Sequence, residues 1–503
     1  MLRKKILWHL SIILTVYSIE HAIQAQRDER FITQEDLQEL ISETQKEQCG
    51  IELSSDDLQE IRSVNPKASW TFIVYMAADN NLHYFAWKNL KQMEQIGSNA
   101  NVSIVVQLNT PGHLNPTKRY IIKKGRRLLV QDDDSPTEKL NSGLPLTLIN
   151  SVEWAVTHYP ADNYALILWN HGTGAIDPMF ARTVNPCDLF YVNPTDNKLT
   201  LDRGISYLTL IYQEAMKALH GDNKRGICFD DTFKSYMSNH DLEYVLQQIR
   251  DKILNGKKLS LICFDACLMS MIEVASVCKR YADYFVTSQE VVYGTGWRYD
   301  MVLEPFQRGT MTPKQFASHI VLSYEQAYHK LINDYTLSAL DLAYIESLEQ
   351  NVHAVAALLC EALQFQQGRN VADIIRKCKS TQYCTCFDEP SYIDLAHFYQ
   401  NLQQHIQHIS LRDKIKEQDV RNALQIELQK GLSLFPLLVV ENKVGQKLRK
   451  AQGISIYFPE HTIAHNYLKS PFALQSQWGQ LLTNTYWDNY AIFTKFFMWI
   501  SGG

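Results

Sequence analysis

Short apolar runs alternate with more polar, amphipathic segments from Trp70 onward. Five strand-like runs occupy residues 70–78, 102–109, 163–169, 259–264 and 283–290. A short apolar run between polar residues is typical of a strand that is covered on both faces. The segments between the runs carry helical spacing, as in 81–97, where Gly97 ends the predicted helix. Strands that alternate with helices predict an α/β fold with a mostly parallel sheet sandwiched between helices.

Other patterns add a sheet edge and a helix-rich second half. Residues 119–130 predict a hairpin at the edge of the sheet, with Gly125 in its turn. Beyond about residue 305 helices dominate, and one of them begins with Thr312 as N-cap and Pro313 as the first helical residue. The stretches "TLSALDL" and "QGISIYFPE" predict further strands in this half.

The chain begins with the layout of a secretory signal. Residues 1–25 combine a basic start, an apolar stretch and the small residue Ala25 before a polar region. The apolar part is shorter than the roughly 20 residues that a membrane-spanning helix needs, and an uncleaved anchor is the alternative. We therefore expect a secreted or periplasmic protein, with an N-terminal segment or propeptide over residues 26–68. The apolar stretch 486–500 is also short for a membrane span and predicts a docked terminal helix.

Composition excludes some classes of partner. A formal net charge of -5 over 503 residues gives no reason to expect nucleic acid. The sequence holds 10 cysteines, of which only Cys378, Cys384 and Cys386 cluster. Their spacing lacks the two CxxC pairs of a zinc site, so a structural bridge or reduced thiols are favoured over a metal.

Two of the buried strands end in reactive polar groups. "LILWNHGTG" carries His171 and "LICFDACLM" carries Cys267. Because the carboxyl ends of parallel strands lie on one edge of a sheet, we expect the two side chains to meet. An imidazole beside a thiol generates or stabilises the thiolate that attacks a carbonyl carbon. Taken singly, a cysteine in an apolar context favours an inert core residue, and a lone histidine after a strand favours a structural one. Their joint placement favours acyl transfer.

Seven blocks of the sequence, in their order and spacing, resemble the clostripain-like cysteine peptidases. The blocks are "WTFIVYMAADNNL", "LILWNHGTG", "ICFDDT", "FDACLMSMIEVA", "TSQEVVYGTGW", "TLSALDL" and "GISIYFP". This family shares the fold of caspases, gingipains and legumains. The resemblance covers roughly residues 70–460. It implies a caspase-like αβα sandwich with a catalytic domain over 69–304, and a C-terminal region over 305–503 with strands that complete the sheet and helices.

The resemblance also implies roles for individual residues. His171 resembles the family's catalytic histidine and Cys267 its nucleophile, a dyad that needs no third carboxylate. The backbone N–H groups of Gly172 and Cys267 would form the oxyanion hole. Asp265 resembles the acidic residue that faces the first specificity pocket, where a carboxylate pairs with a substrate Arg or Lys. The alternative for Asp265 is an N-cap of the helix that begins near Cys267.

Other polar residues have more than one interpretation. Ser288, Gln289 and Glu290 resemble the loop that lines the family's substrate channel. Asp79 and Asn80, and likewise Asp230 and Asp231, either contact substrate and orient His171 or cap the following segments.

Relatives of this kind are often made as single-chain precursors and cut between the histidine and the cysteine. Lys224 and Arg225 in "DNKRGIC" offer a basic cleavage site in that interval. We expect no cofactor to be required for the chemistry. A calcium requirement stays undecided, since the acidic run "DDDSPTE" lacks the EF-hand pattern.

The sequence thus predicts a secreted cysteine endopeptidase that cleaves proteins or peptides after Arg or Lys. The alternative from another class is a catalytically inactive binding or scaffold protein that keeps the fold. A metal-dependent hydrolase is disfavoured, because neither HExxH nor a dense His/Asp cluster is present. A transpeptidase or ligase remains open, because an amine can resolve an acyl-enzyme as water does.

Overall fold

A nine-stranded sheet forms the centre of the fold, with the strand order β14-β12-β11-β10-β5-β1-β2-β3-β4. The computed structural model describes residues 67–80, 82–131, 135–176, 190–192, 199–201, 226–292, 295–460, 463–464 and 467–485. The strands are β1 (Ala68–Ala77), β2 (Val102–Asn109), β3 (Lys118–Lys123), β4 (Arg126–Leu129), β5 (Ala161–Trp169), β6 (Phe190–Val192), β7 (Leu199–Leu201), β8 (Ile227–Asp230), β9 (Ser235–Met237), β10 (Leu259–Asp265), β11 (Ala282–Thr287), β12 (Thr336–Asp341), β13 (Tyr392–Asp394), β14 (Val439–Val444) and β15 (Ser455–Tyr457).

Helices connect the strands and cover the sheet. The α-helices are α1 (His83–Ile96), α2 (Pro145–His158), α3 (Asn239–Gln248), α4 (Ile272–Cys278), α5 (Tyr299–Leu303), α6 (Pro313–Tyr328), α7 (Ile345–Phe365), α8 (Asn370–Lys379), α9 (Leu395–His405), α10 (Lys414–Leu438) and α11 (Pro471–Gln475). A π-helical turn, Ile249–Ile253, extends α3. Helix α6 begins as predicted, with Thr312 as N-cap in a capping box and Pro313 in the first turn.

The five central strands are parallel, and the flanking pairs are antiparallel. β11, β10, β5, β1 and β2 run in one direction. Every residue of β2 and of β10 is buried, which is why both strands read as continuous apolar runs. This arrangement confirms the predicted α/β class with a mostly parallel sheet, and the hairpin of β3 and β4 lies at the edge, as expected.

The C-terminal half contributes to the sheet and also builds a separate ribbon. β12 and β14 continue the sheet beyond β11 as antiparallel strands. The predicted strand in "QGISIYFPE" forms as β15, but it pairs with β13 in a two-stranded ribbon outside the main sheet. The ribbon contacts the segment that follows β10, because Met271 makes a β-bridge with Ser455.

Several predictions concern parts of the chain that lie outside the described residues. They are the signal at 1–25, the segment at 26–66, Lys224 and Arg225, and the terminal stretch 486–500. Among the residues that the structure does describe, no helix combines the length and apolar character needed to cross a membrane.

Candidate active site

His171 and Cys267 follow neighbouring strands at matched positions. Trp169 of β5 and Asp265 of β10 are register partners in the parallel sheet. His171 lies two positions beyond Trp169, and Cys267 lies two positions beyond Asp265. Since paired strands are separated by about 4.8 Å, the two strand ends bring the histidine and the cysteine to one place on the edge of the sheet.

The two loops contact each other directly behind these residues. A Cβ at Gly172 would lie 2.5 Å from the carbonyl oxygen of Cys267, so only glycine permits this approach of the two backbones. The loop of Cys267 is fixed from its other side. The N–H of Leu268 donates to the Glu290 carbonyl at 3.3 Å, and the N–H of Ser270 donates to the Ser288 carbonyl at 2.9 Å. Leu268 itself has a φ of 62°, a left-handed conformation at the residue after the cysteine.

Both residues of the pair are buried in this single-chain form. His171 is 0% exposed and Cys267 is 1% exposed. Burial lowers the pKa of the His171 imidazole to about 3, so the ring is neutral at ordinary pH and is only a weak base while it stays buried. The ring of Phe229 packs against the histidine in an edge-on contact, with 6.5 Å between the ring centroids.

Asp265 lies at the end of β10 beneath the loop that precedes α5. One carboxylate oxygen accepts hydrogen bonds from the Trp297 N–H at 3.1 Å and the Tyr299 hydroxyl at 2.9 Å. The other oxygen, Oδ1, is buried with no hydrogen-bond partner among the described residues. Burial raises the pKa of Asp265 to about 7. The alternative that Asp265 caps the next helix is wrong, because α4 begins at Ile272 with Met271 at its N-cap position.

The segment Ser288–Gln289–Glu290 lies beside the Cys267 loop, but its side chains form hydrogen bonds with other residues of the protein. The Ser288 hydroxyl donates to the Thr336 carbonyl at 2.7 Å. The Gln289 side chain donates to Asp394 at 3.0 Å, and Glu290 accepts the Asp388 N–H at 3.2 Å. The backbone carbonyls of Ser288 and Glu290, by contrast, hold Ser270 and Leu268 in place.

The hairpin of β8 and β9 covers the edge of the sheet next to His171. Gly172 makes an isolated β-bridge with Ile227. Asn170 accepts the Phe229 N–H at 2.8 Å and donates to the Phe229 carbonyl at 3.1 Å. Asn80 donates to the same carbonyl at 3.2 Å. Asn170 precedes the histidine in the sequence, yet nothing local indicates that it holds a segment 59 positions away.

The sequence left two interpretations open for Asp79, Asn80, Asp230 and Asp231. In the structure all four residues contact other parts of the protein. Asn80 Oδ1 accepts the Leu82 N–H at 2.9 Å just before α1, which makes it a turn residue in front of the helix. Asp230 accepts the N–H of Ser142 and the side-chain amide of Asn109, each at 2.9 Å. Burial raises the pKa of Asp230 to about 6. The Asp231 N–H donates to the Asp79 carbonyl at 2.8 Å.

Asp79 forms a buried ion pair with Lys139, which sequence reasoning missed. The Lys139 ammonium lies 2.8 Å from the Asp79 carboxylate, and the two side chains are 3% and 0% exposed.

We expect Lys139→Met to lower the free energy of unfolding by about 3–5 kcal/mol, because it leaves a buried carboxylate without its cation. Urea unfolding measures the change. Arg308→Met, which breaks the exposed pair of Arg308 and Glu304, should leave stability unchanged; an equally small loss for Lys139→Met contradicts the prediction.

The described cysteines form no disulfide bond with one another. Cys378 and Cys384 are buried, and burial raises the pKa of the Cys378 and Cys386 thiols to about 12. No group of three or more His, Cys, Asp or Glu side chains in the described part of the chain is arranged to hold a metal ion.

The sheet topology and the paired loops define a class of protein. A mostly parallel sheet between helices, with His and Cys after adjacent central strands, is the architecture of the caspase-like cysteine peptidases. A profile of the clostripain family, peptidase family C11, matches residues 74–185 and 212–492. The chain therefore belongs to the clostripain family of cysteine endopeptidases, which confirms the resemblance found in the sequence.

Individual relatives agree with this assignment. Clostripain from Hathewaya histolytica is 25% identical over 284 residues, which are 50% of this chain and 46% of that protein. The alignment thus spans about half of the curated relative. Two solved structures share the fold over 82% of this chain and 99% of their own. They are an inactive zymogen C11 protease from Parabacteroides distasonis (TM-score 0.53, 16% identity) and a secreted C11 cysteine protease from Bacteroides thetaiotaomicron, iotapain (TM-score 0.54, 12% identity).

Proposed function

We propose that the protein is an exported cysteine endopeptidase that hydrolyses peptide bonds after Arg or Lys with a dyad of Cys267 and His171. The observation that carries the proposal is the convergence of these residues on two adjacent parallel strand ends. Once the covering segments move and burial no longer holds its pKa low, the His171 imidazole accepts the thiol proton, and the thiolate attacks the scissile carbonyl carbon. His171 then protonates the leaving amine, and water releases the acyl group from the sulfur.

The oxyanion that forms in this reaction needs hydrogen-bond donors beside the nucleophile. The backbone N–H groups of Gly172 and Cys267 are the donors that we propose. The close approach of Gly172 to the Cys267 carbonyl supports this assignment, because it brings the backbones of the two residues together. Side-chain substitution would leave both donors in place, so only a backbone change at these positions would remove them.

The preference for Arg or Lys rests on Asp265. Its Oδ1 atom is buried without a hydrogen-bond partner among the described residues, while its second oxygen is held by Trp297 and Tyr299. A buried carboxylate with one unused oxygen is suited to a guanidinium or ammonium group, which forms a charge-assisted hydrogen bond. A substrate cation at this oxygen would also offset the cost of ionising a buried carboxyl group.

The single chain is proposed to be a latent precursor. His171 and Cys267 are 0% and 1% exposed, so a substrate cannot reach the sulfur until the covering segments move. Cleavage after Lys224 or Arg225 is the proposed activation step. These two residues stand just before β8, whose Ile227 and Phe229 contact the His171 loop. Export rests on the signal-like layout of residues 1–25.

A matched peptide panel tests the proposal. Fluorogenic peptides that differ only in Arg, Lys, Asp or Asn before the scissile bond are offered to the intact chain and to chain nicked after Arg225. We expect cleavage after Arg and Lys to be at least about 100-fold faster than cleavage after Asp or Asn. Added calcium and a chelator in parallel arms decide the calcium question. Cleavage after Asp or Asn contradicts the specificity, and no cleavage in any arm favours the inactive binding protein.

A further inference from the structure

The turn that follows His171 is held by groups from three distant segments. The Gly174 N–H donates to the Met269 sulfur at 3.4 Å, and the Ala175 N–H donates to the Met271 sulfur at 3.1 Å. The Gly174 carbonyl accepts from the side-chain amide of Asn239 at 3.2 Å. Thioether sulfurs are weak acceptors, so these contacts alone hold the turn loosely.

Tyr392 of β13 provides the strongest polar contacts to this turn. Its hydroxyl donates to the carbonyl of Thr173 and accepts the N–H of Ile176 at 2.9 Å. The side chain is 1% exposed, and Thr173 stands 219 positions earlier in the chain. One hydroxyl group therefore sets the separation between two backbone groups, which flank Gly174 and Ala175.

The ring of Tyr392 also shapes the turn sterically. Gly174 has a φ of 69°, and a Cβ there would lie 2.7 Å from the Cε2 atom of Tyr392. The ring occupies the space that a side chain at position 174 would need. Behind it, Tyr457 of β15 contacts the ring edge-on, with 6.4 Å between centroids, and fixes its orientation. The ribbon of β13 and β15 thus acts as a rigid support for the turn.

We propose that Tyr392 is a positioning residue for catalysis, which sets the His171 imidazole and the Gly172 N–H relative to Cys267 through the Thr173 carbonyl. This inference rests on the proposed function, because it assigns a supporting residue to the same dyad. The Thr173 carbonyl belongs to the peptide group between Thr173 and Gly174, and Thr173 directly follows the two residues that take part in the chemistry. Rotation of that peptide would displace both groups, and displacements of about 1 Å reduce catalysis up to about 100-fold.

The test is Tyr392→Phe in the full-length, processed chain. The variant keeps the ring and its contact with Gly174 but removes the hydroxyl. We expect kcat for Arg peptides to fall roughly ten- to hundredfold, KM to change by less than about twofold, and the pH profile to keep its midpoints. Loss of positioning lowers kcat selectively, because among the described residues the hydroxyl of Tyr392 bonds the turn after His171, whereas Asp265 is held by Trp297 and Tyr299.

Tyr399→Phe is the matched control. Tyr399 is a buried tyrosine of α9 whose hydroxyl has no hydrogen-bond partner among the described residues. Its removal should leave kcat and KM unchanged. Titration of reactive sites with an arginyl acyloxymethyl ketone corrects kcat for any misfolded fraction. A corrected kcat for Tyr392→Phe within twofold of the wild type overturns the proposal.

A second readout separates this inference from the proposed function. Iodoacetamide alkylates Cys267 without any peptide substrate, and peptide mass spectrometry gives its rate. We expect Tyr392→Phe to slow alkylation at pH 7 at least about threefold, because a displaced imidazole accepts the thiol proton less well. If the wild type cleaves no peptide, the proposed function fails while this rate still tests the positioning. An unchanged rate overturns the positioning role in either case.

Discussion

Replacement of Cys267 by alanine will reduce hydrolysis of Arg and Lys peptides to background, a loss of at least about 10⁴-fold. The side chain of alanine cannot form the acyl-enzyme, and no other described cysteine follows a central strand beside a histidine. The same variant should remain a single chain on storage, since processing after Lys224 or Arg225 requires the nucleophile if it is autocatalytic. Initial rates and gel electrophoresis measure the two effects.

Cys278→Ala is the matched control for this experiment. Cys278 is the last residue of α4 and is also buried, near the start of β10 and at the opposite end of that strand from Asp265, so the substitution removes a buried thiol outside the site. We expect it to keep its activity after correction for folded protein. Retention of more than about 1% activity in Cys267→Ala rejects the cysteine as nucleophile. A processed chain in Cys267→Ala instead shows that another protease makes the cut.

The parts of the fold that sequence predicted are those governed by local pattern. β1 and β10 are apolar runs because both faces of a central parallel strand are covered, and the pattern alone identifies them. The proximity of His171 and Cys267 follows from the same rule, since parallel strand ends share an edge. A capping residue and a proline likewise located the start of α6 at Thr312.

The supporting contacts of the site depend on segments far apart in the chain and leave no local pattern. Lys139 pairs with Asp79 at a sequence separation of 60 positions, and Tyr392 contacts Thr173 at a separation of 219. β13 is only three residues long, which is below the length at which alternation can be recognised. β14 directly follows the 25-residue helix α10, so its apolar residues merge with those of the helix.

Replacement of Asp265 by asparagine has the second largest expected effect. We expect kcat/KM for Arg and Lys peptides to fall about 10²- to 10³-fold, because a substrate cation would enter the pocket without its carboxylate. Asparagine keeps an oxygen that accepts the Trp297 N–H and the Tyr299 hydroxyl, so the loop should stay in place. Peptides with Gln before the scissile bond should be cleaved equally slowly by both proteins. Assays of the three peptides measure the change in selectivity.

Asp300→Asn is a suitable control, because Asp300 lies next to Tyr299 but pairs with Arg298. It should keep the preference for basic residues.

The pH dependence of kcat/KM adds a second criterion. The pKa of Asp265 is about 7 in the buried site, so kcat/KM for Arg peptides should rise as pH increases through about 7, as the carboxylate forms. Asp265→Asn should lack this rise, and an unchanged selectivity in the variant excludes Asp265 as the specificity residue.

The free energy of unfolding should fall over the pH range in which kcat/KM for Arg peptides rises. Burial raises the Asp265 pKa from 3.8 to about 7, so the folded protein retains a proton over a range in which the unfolded chain has lost it. This contribution is complete below about pH 4 and is lost as pH rises through about 7, by at most about 4 kcal/mol. Asp265→Asn should therefore be more stable than the wild type at pH 8 and similar at pH 4.

Two other buried carboxyl groups, Asp230 and Asp394, also have raised pKa values of about 6. Only the difference in unfolding free energy between variant and wild type therefore isolates the contribution of Asp265. An equal difference in urea unfolding at both pH values would show that the carboxyl group does not ionise in the buried site, and the specificity assigned to it would lose its physical basis.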